Sequence, residues 1–513
     1  MADIGKSAEQ ELAELRVQFD AVRAERDSLR VERDDLHAKL NALLKQVYGR
    51  RSERYVDDGH PLLPFDEPED PPPPPHVDEA PDGDDPLEEP HGRKPRRRGA
   101  PRLPTDIKRV IEEVAPSEAE LRCSCCDRPR TIIGYEETEK LEYHPANCYL
   151  RVIRRPKLAC KVHEEAGVVT PSLPPQVIDK GLAGETMLAQ VITAKYRDHL
   201  PLYRQAGIYA RQGVDIPEST LGDWIRQGSD VVQRVVAAIA RQAFASGYVS
   251  TDDTKVTLLT KESATGSKQA HLWVYAGEQP GDVVFDFTRG RGGDGPRRVL
   301  AGFKGYLQAD AYSAYDNLFG GGDIVEVGCM AHARRKFRDA LDTAPEFAKP
   351  AMQAIQALYH VERECKALEL SPEQRFAMRQ AESKGTFDAL RAWIAELKSR
   401  TLPKSPIGKA AKYFDNHADA LGRFLENGRL EIDNNRCERA MRQVAVGRKN
   451  WLFAGSEEGG QRAATLYSLT VSCWELGVDP FAYLSDVLRR VNSTPDSEIA
   501  TLTPRLWAAA RRS

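Results

Sequence analysis

Apolar residues recur at every seventh position from the start of the chain: Leu15, Val22, Leu29, Leu36 and Leu43, with a companion row of Leu12, Phe19, Arg26, Arg33, Leu40 and Val47. Two such rows make the a/d seam of a coiled-coil helix over residues 1–50, with arginine at two a positions. Like charges in that seam weaken a parallel homodimer. The expectation is a staggered, antiparallel or heterologous pairing, or a lone amphipathic helix lying on its own protein. Periodicity then stops. Residues 51–104 carry no stripe and contain five consecutive prolines, Pro71 to Pro75, so they read as an extended linker with too little apolar surface to fold. Helical spacing is strong again from Gly181 to Gln242. Within it, "HLPLYRQAGIYARQGVDIPESTLGDWIRQ" (199–227) has one stripe ending at Ile208 and Tyr209, a turn at Gly213, and a second helix capped by Ser219 that carries Leu221, Trp224 and Ile225. That is a helix-turn-helix-like pattern, and it makes 176–245 a helical region expected to bind DNA, or else a helical hairpin that serves only as packing.

Near residue 248 the period changes to two. "GYVSTDDTKVTLLT", "QAHLWVYAG" and "DVVFDFT" alternate and are separated by turn residues, which predicts three consecutive antiparallel strands. "GPRRVLAGF" then reads as a helix, "GYLQADAY" as a fourth strand, "SAYDNLF" as a short helix, and "DIVEVGCMAHARRKFRDAL" as a fifth strand running into a helix. The order β-β-β-α-β-α-β-α is that of an RNase H-like core, beginning over 246–339. Helical text fills 340–428 as an insertion, for DNA, dimer contact or plain packing. The core resumes with a helix over 429–475, and 476–513 is a helical tail. The whole chain is thus expected to be multidomain α+β.

Charge changes the picture. The net charge is −4, but residues 57–89 hold thirteen acids and no lysine or arginine, and setting them aside leaves the remainder at +9. The folded parts are basic and suit a polyanionic partner. The linker closes on "GRKPRRRGAPRLP", whose Arg93, Lys94, Arg96, Arg97 and Arg98 suit a flexible arm along phosphates, or a merely solvated linker. No apolar run approaches the ~20 residues a membrane span needs, and the polar start lacks an apolar signal region. A cytoplasmic protein without membrane association is expected. In that compartment, clustered cysteines read first as a metal site. Cys123-x2-Cys126 and Cys160-x2-His163 are two knuckles suited to tetrahedral zinc, flanking strand-like text as in a zinc ribbon, within a module at 105–175. Cys125 is an alternative to Cys126.

Three acids fall on the core elements. Asp252 lies on the first strand, with Asp253 as its alternative. Asp310 ends the fourth strand, with alternation setting it opposite Leu307 and Ala309. Glu438 is the one acid from Arg436 to Asn450, on a helix capped by Asp433 or Asn434 and buried along Cys437, Ala440, Met441 and Val444. Arg436 and Arg439 are expected to face outward toward phosphate. Carboxylates on two neighbouring strands and a helix suit a pair of Mg²⁺ ions. A surface ion-pair network is the plainer account of a glutamate in a basic helix, and Asp433 stands as an alternative ligand.

The text "DNNRCERAMRQVAVGRKNWLFAGSEEGG" (433–460), with "DDT" at 252–254, "LQADAYSAYD" at 307–316 and "GCMAHARRKF" at 328–337, resembles the large transposase of the IS66 insertion-sequence family. "YGRRSE", "KYRDHLPLYRQ" and "LTPRLW" extend the likeness over nearly the whole chain. The resemblance implies a DDE transposase with a triad of Asp252, Asp310 and Glu438 and a zinc-binding domain at the knuckles. Two departures stand out: Cys160/His163 in place of a second cysteine pair, and Asp253 where glutamate is common. The expected partners are element ends and target DNA, a second copy on DNA, and small accessory proteins. Arg334, Arg335, Arg439, Arg442, Arg448 and Lys449 are expected to contact the DNA backbone. The rivals are an RNase H-like nuclease, against which the coiled coil, zinc module and arm argue, and a zinc- and helix-turn-helix-containing regulator with an inactive core, against which the three acids argue.

Overall fold

The computed structural model describes Arg26, Arg33, Thr105 and residues 107–512, apart from 145–146, 161–166 and 264. Apart from Arg26 and Arg33, the heptad seam, with the linker and the arm residues Arg93, Lys94, Arg96, Arg97 and Arg98, lies outside the described residues, as does His163. Of the seam, Arg26 and Arg33 are described, and both are helical and exposed.

The first sheet contains β1 (Arg109–Glu113), β2 (Thr131–His144), β3 (Asn147–Ala159) and β4 (Val168–Val169), in the order β1-β3-β2 with β4 pairing β3. β2 and β3 form a long antiparallel hairpin, and β1 joins β3 in parallel. The strand-like text anticipated the hairpin, because Leu150, Val152 and Leu158 alternate and are buried. Between β1 and β2 lies a one-turn helix, α1 (Glu118–Leu121), closed by a capping box from Ser117 to Glu120.

Three helices follow: α2 (Glu185–Tyr196), α3 (Leu202–Arg211) and α4 (Glu218–Ala245). Gly213 makes the turn, at φ +81°, in the left-handed region that glycine enters without steric cost. Leu221, Trp224 and Ile225 are buried, in accord with the stripe. Ser219 is not the cap. The helix starts earlier, with Pro217 at the cap position and φ −59°, because the proline ring holds the dihedral a helix start needs. α4 then runs for 28 residues, and its apolar side shares one core cluster with the strands that follow.

The second sheet is built as the alternation predicts. β5 (Tyr248–Leu259), β6 (Ser267–Gly277) and β7 (Val283–Thr288) are consecutive and antiparallel. Then come α5 (Asp294–Val299), β8 (Gly305–Gln308), a 3-10 turn at Ser313–Tyr315 leading into α6 (Asp316–Phe319), β9 (Ile324–Val327) and α7 (Met330–Arg338). The strand order is β7-β6-β5-β8-β9. Gly277 ends β6 against α4, where a Cβ would stand 2.6 Å from the Ala243 backbone; only glycine permits that approach.

The helical stretch consists of α8 (Pro345–Ala367), α9 (Pro372–Met378), a π-helical turn (Arg379–Ser383), α10 (Lys384–Arg400), α11 (Pro406–Asn416) and α12 (Ala418–Gly422). It is followed by α13 (Asn435–Trp451), β10 (Phe453–Ala454), α14 (Glu457–Glu475), α15 (Pro480–Arg490) and α16 (Pro504–Arg512). Among the described residues no helix is long and apolar enough to cross a membrane.

The described chain divides into two compact units. One comprises Gln308–Tyr312 and Val325–Asn435, hence α7 to α12. The other comprises the described residues from Thr105 to Leu307 with Ser313–Ile324 and everything from Arg436 onward. In the first unit Arg379 is fully buried. Its guanidinium donates to both oxygens of Glu362, each at 2.7 Å, and to the carbonyls of Phe424, Asn427 and Leu430. A buried charge is stable only with its partners satisfied in this way.

Candidate active site

β5 presents two adjacent carboxylates to opposite faces of the sheet, since side chains alternate along a strand. Asp252 shares its face with Thr254, Val256 and Leu258, the face that α13 covers. Three facts fix this. Arg448 of α13 donates to Thr254 Oγ1 at 3.1 Å and to the Lys255 carbonyl. Val256, Leu258, Leu272 and Val274 pack in one cluster with Cys437, Ala440, Met441 and Val444. The Cys437 thiol is held well above its usual range by burial first and then by the charge of Asp252. Asp252 is therefore close to the residue that precedes Glu438. Its Oδ1 also accepts the Asp253 backbone N–H at 2.8 Å.

Asp253 points the other way. Its carboxylate meets His271 Nδ1 at 2.6 Å and accepts from Arg291 at 2.9–3.2 Å, with only 4% of the side chain exposed. That cluster, beside Trp273 (which pairs with Asp253 across the strands), occupies its oxygens with protein partners. Neither His271 nor Arg291 stood out in the sequence. Arg291 comes from the glycine-rich turn after β7, where nothing in the spacing marks a partner.

α13 forms as its stripe predicts: Cys437, Ala440, Met441 and Val444 are all buried. At its start Asp433 accepts the Asn435 N–H at 3.0 Å on one oxygen and the Asn435 side-chain amide at 2.8 Å on the other. Asp433 is thus engaged as a helix-start acceptor. Glu438 is half-buried, with Arg439 and Arg442 exposed near it and Lys449 exposed about three turns further along the helix. Arg436 does not face solvent as expected. It donates to both oxygens of Glu475 at 2.9 and 2.8 Å, to the Gly277 carbonyl and to the Gln279 carbonyl at 2.6 Å. The charge of Glu475, at the C-terminal end of α14, is what turns it inward.

Asp310 stands two residues past the end of β8, not on the strand. Ala311 takes φ +61°, which breaks the extended run, and Asp310 Oδ1 accepts the Tyr312 N–H at 3.1 Å. Leu307 and Ala309 are buried and Asp310 is half-buried. Within its own unit, the Tyr413 hydroxyl donates to the Asp310 carbonyl at 3.4 Å. A non-glycine residue at positive φ costs on the order of 1–3 kcal/mol, and such positions concentrate at functional sites. Arg334 and Arg335 lie in α7, half-buried and exposed respectively.

At the cysteine knuckles, the Cys123, Cys125 and Cys126 sulfurs lie within 4.8 Å of one another, and Cys126 and Cys160 are 3.9 Å apart. Cys123 and Cys125 sulfurs approach to 3.0 Å. That hydrogen bond draws the Cys123 thiol down to about 6 and pushes Cys125 up to about 12. The thiols of the two expected knuckles do meet, and Cys125 belongs to the same group. A converging set of soft sulfur donors with one already thiolate-like fits zinc.

Residues 180–462 match the profile of the Transposase IS66 family, and residues 468–505 match that of the IS66 C-terminal element. The chain is also similar to two uncharacterized proteins of Sinorhizobium fredii. It is 36% identical to y4qI over 432 residues, 80% of this chain and 78% of the relative. It is 33% identical to y4jD over 453 residues, 84% of this chain and 86% of the relative. With the matched profile spanning most of the core, from the helices before the first acid to the residues after Glu438, the chain belongs to the IS66 family of insertion-sequence transposases.

Proposed function

We propose that the protein binds the ends of its insertion sequence and cleaves and joins DNA strands, with Asp252, Asp310 and Glu438 as its catalytic acids. The observation that carries this reading is the closeness of Asp252, on β5, to Cys437 at the start of the Glu438 helix. The order β7-β6-β5-β8-β9 supports an RNase H-like core, with the strand preceding Asp310 next to the strand of Asp252. Asp252, Asp310 and Glu438 are hard oxygen donors and would hold two Mg²⁺ ions, which supply positive charge to the attacking and leaving oxygens. Asp433 and Asp253 are less suited, because their oxygens are engaged by Asn435 and by His271 and Arg291.

The exposed Arg439, Arg442 and Lys449 hold the DNA backbone and offset charge at the reacting phosphate. Arg448 has its guanidinium on β5, so its share in DNA contact is through its charge. Arg334 and Arg335 extend the basic surface of the other unit, and the arm from Arg93 to Arg98 adds backbone contacts. A second copy and small accessory proteins complete the assembly on DNA.

Duplexes carrying the DNA that flanks the reading frame on either side test the reading directly. With Mg²⁺ the protein is expected to nick them at the element boundary and join the freed 3′ end to a second DNA. Intact DNA, from protein that binds it, would refute the assignment. Asp252→Asn is expected to abolish that nicking. Asp253→Asn is expected to keep it and to lower the urea midpoint, since it leaves Arg291 and His271 without their anion. Equal loss of cleavage in both variants would remove the distinction between the faces.

The cysteine group is proposed as a structural zinc site held by Cys123, Cys126 and Cys160 with His163, Cys125 being the alternative sulfur. Metal analysis of the full chain is expected to find about one zinc per chain, as a single four-coordinate site requires. Cys123→Ser is expected to lose it, and zinc retained in full by that variant would place the ion elsewhere.

A further inference from the structure

Beyond Glu438, the last turns of α13 border a cavity of about 190 Å³ inside the larger unit. Its lining includes three cations, Lys195, Arg448 and Arg462, and no carboxylate. Five aromatic rings complete the wall: Tyr196, Phe287, Trp451, Phe453 and Tyr467. The cavity is not an ordinary apolar void of a core, because three cations line it. Tyr467 is 1% exposed and its hydroxyl has no hydrogen-bond partner among the described residues. Neither Lys195 nor Arg462 forms an ion pair among the described residues. Lys195 Nζ stands 5.0 Å from the centre of the Trp451 ring and 5.9 Å from that of Tyr196. Burial draws its ammonium down to about 8, with the charge of Glu218 opposing, so it remains largely a cation near pH 7.

This combination has a specific chemical complement. An acid-free wall with unpaired cations selects an anion, and a group of rings selects a flat π-system. Both belong to one nucleotide. The volume is below the ~300 Å³ of common drug-sized ligand sites, which suits a single base. Phe453 is half-exposed at 48%. It follows Leu452, whose φ of +33° turns the chain off the end of α13.

We propose that this cavity receives one unstacked nucleotide of bound DNA, its base among Trp451, Tyr196 and Phe453 and its phosphate toward Lys195 and Arg462. The inference rests on the reading that the protein acts on DNA. Arg448 and Trp451 follow Glu438 by ten and thirteen residues, which is about 15–20 Å along a helix at 1.5 Å per residue. The captured nucleotide therefore lies about four to six base steps from the cleaved phosphate at ~3.4 Å per step. Holding a base out of the stack at that distance fixes the register of the duplex over the acids.

The test uses the full chain and oligonucleotides substituted at single positions with 5-iodo-2′-deoxyuridine, which crosslinks to aromatic side chains under light. Peptide mapping is expected to find the crosslink on Trp451, Phe453 or Tyr196, for one narrow set of positions. Arg462→Glu and Lys195→Ala, both changes at partly exposed positions, are expected to reduce it by roughly tenfold, which is about 1.4 kcal/mol of lost phosphate contact. Glu438→Gln should leave it unchanged. Crosslinks confined to other segments, or unaffected by both cation variants, overturn the proposal while leaving the transposase reading intact. Equal crosslinking by free iodo-deoxyuridine monophosphate overturns the assignment to DNA. A chain that binds no DNA overturns both readings.

Discussion

Glu438→Gln is expected to bind end DNA as the parent chain does and to lose strand cleavage by at least about 10³-fold, the scale on which one preorganised group at a reacting centre acts. The substitution is nearly isosteric and sits outside the buried stripe of α13, so the helix and its exposed arginines should persist. It removes one negative charge and one strong oxygen donor. Binding by gel shift and cleavage in Mg²⁺ separate the two effects. Undiminished cleavage would take Glu438 out of the chemistry and bring Asp433 back. Reduced binding in parallel with cleavage would instead point to a collapsed helix, which circular dichroism would show.

Arg379→Met is expected to destabilise the helical unit by about 3–5 kcal/mol, the usual cost of breaking a buried ion pair from one side. Methionine fills much of the volume but offers no donor. Glu362 would keep only Arg375, at 2.6 Å, and the carbonyls of Phe424, Asn427 and Leu430 would lose theirs. Those carbonyls belong to the segment that leads into α13, so cleavage should fall as well. Urea unfolding followed by tryptophan fluorescence and circular dichroism measures the loss. An unchanged midpoint would mean that water replaces the guanidinium without cost. Glu362→Gln, which keeps acceptor geometry on one oxygen, is expected to cost less.

The parts of this fold that were legible in the sequence are those set by local periodicity. The meander of β5 to β7 follows from strict alternation, and the buried stripe of α13 follows from Cys437, Ala440, Met441 and Val444 at helical spacing. The misreadings share another origin. "GYLQADAY" alternates through Tyr312, yet the strand stops at Gln308 because Ala311 adopts a left-handed backbone, and alanine carries no signal for that. Ser219 has the right chemistry for a cap, but Pro217 starts the helix two residues before it. Arg436 read as a DNA contact because its partner, Glu475, is 39 residues away, and pairing over such a distance leaves no mark in a single sequence. The surroundings of Asp252 and Asp253 separate only once β5 has a face covered by α13 and a face occupied by His271 and Arg291.

The Arg436 clamp has a consequence for how fast the site can be made ready. The opening turn of a helix is where fraying normally begins, and Glu438 lies in that turn of α13. By binding the carbonyls of Gly277 and Gln279 and a carboxylate of α14 at the same time, Arg436 removes the conformational freedom of that turn in the free protein. The glutamate backbone is then ordered before any DNA arrives, and the entropy of fixing it falls on folding and not on the catalytic encounter. Loosening Arg436 should therefore appear as slower assembly of an active complex, with the chemistry of the assembled complex unchanged.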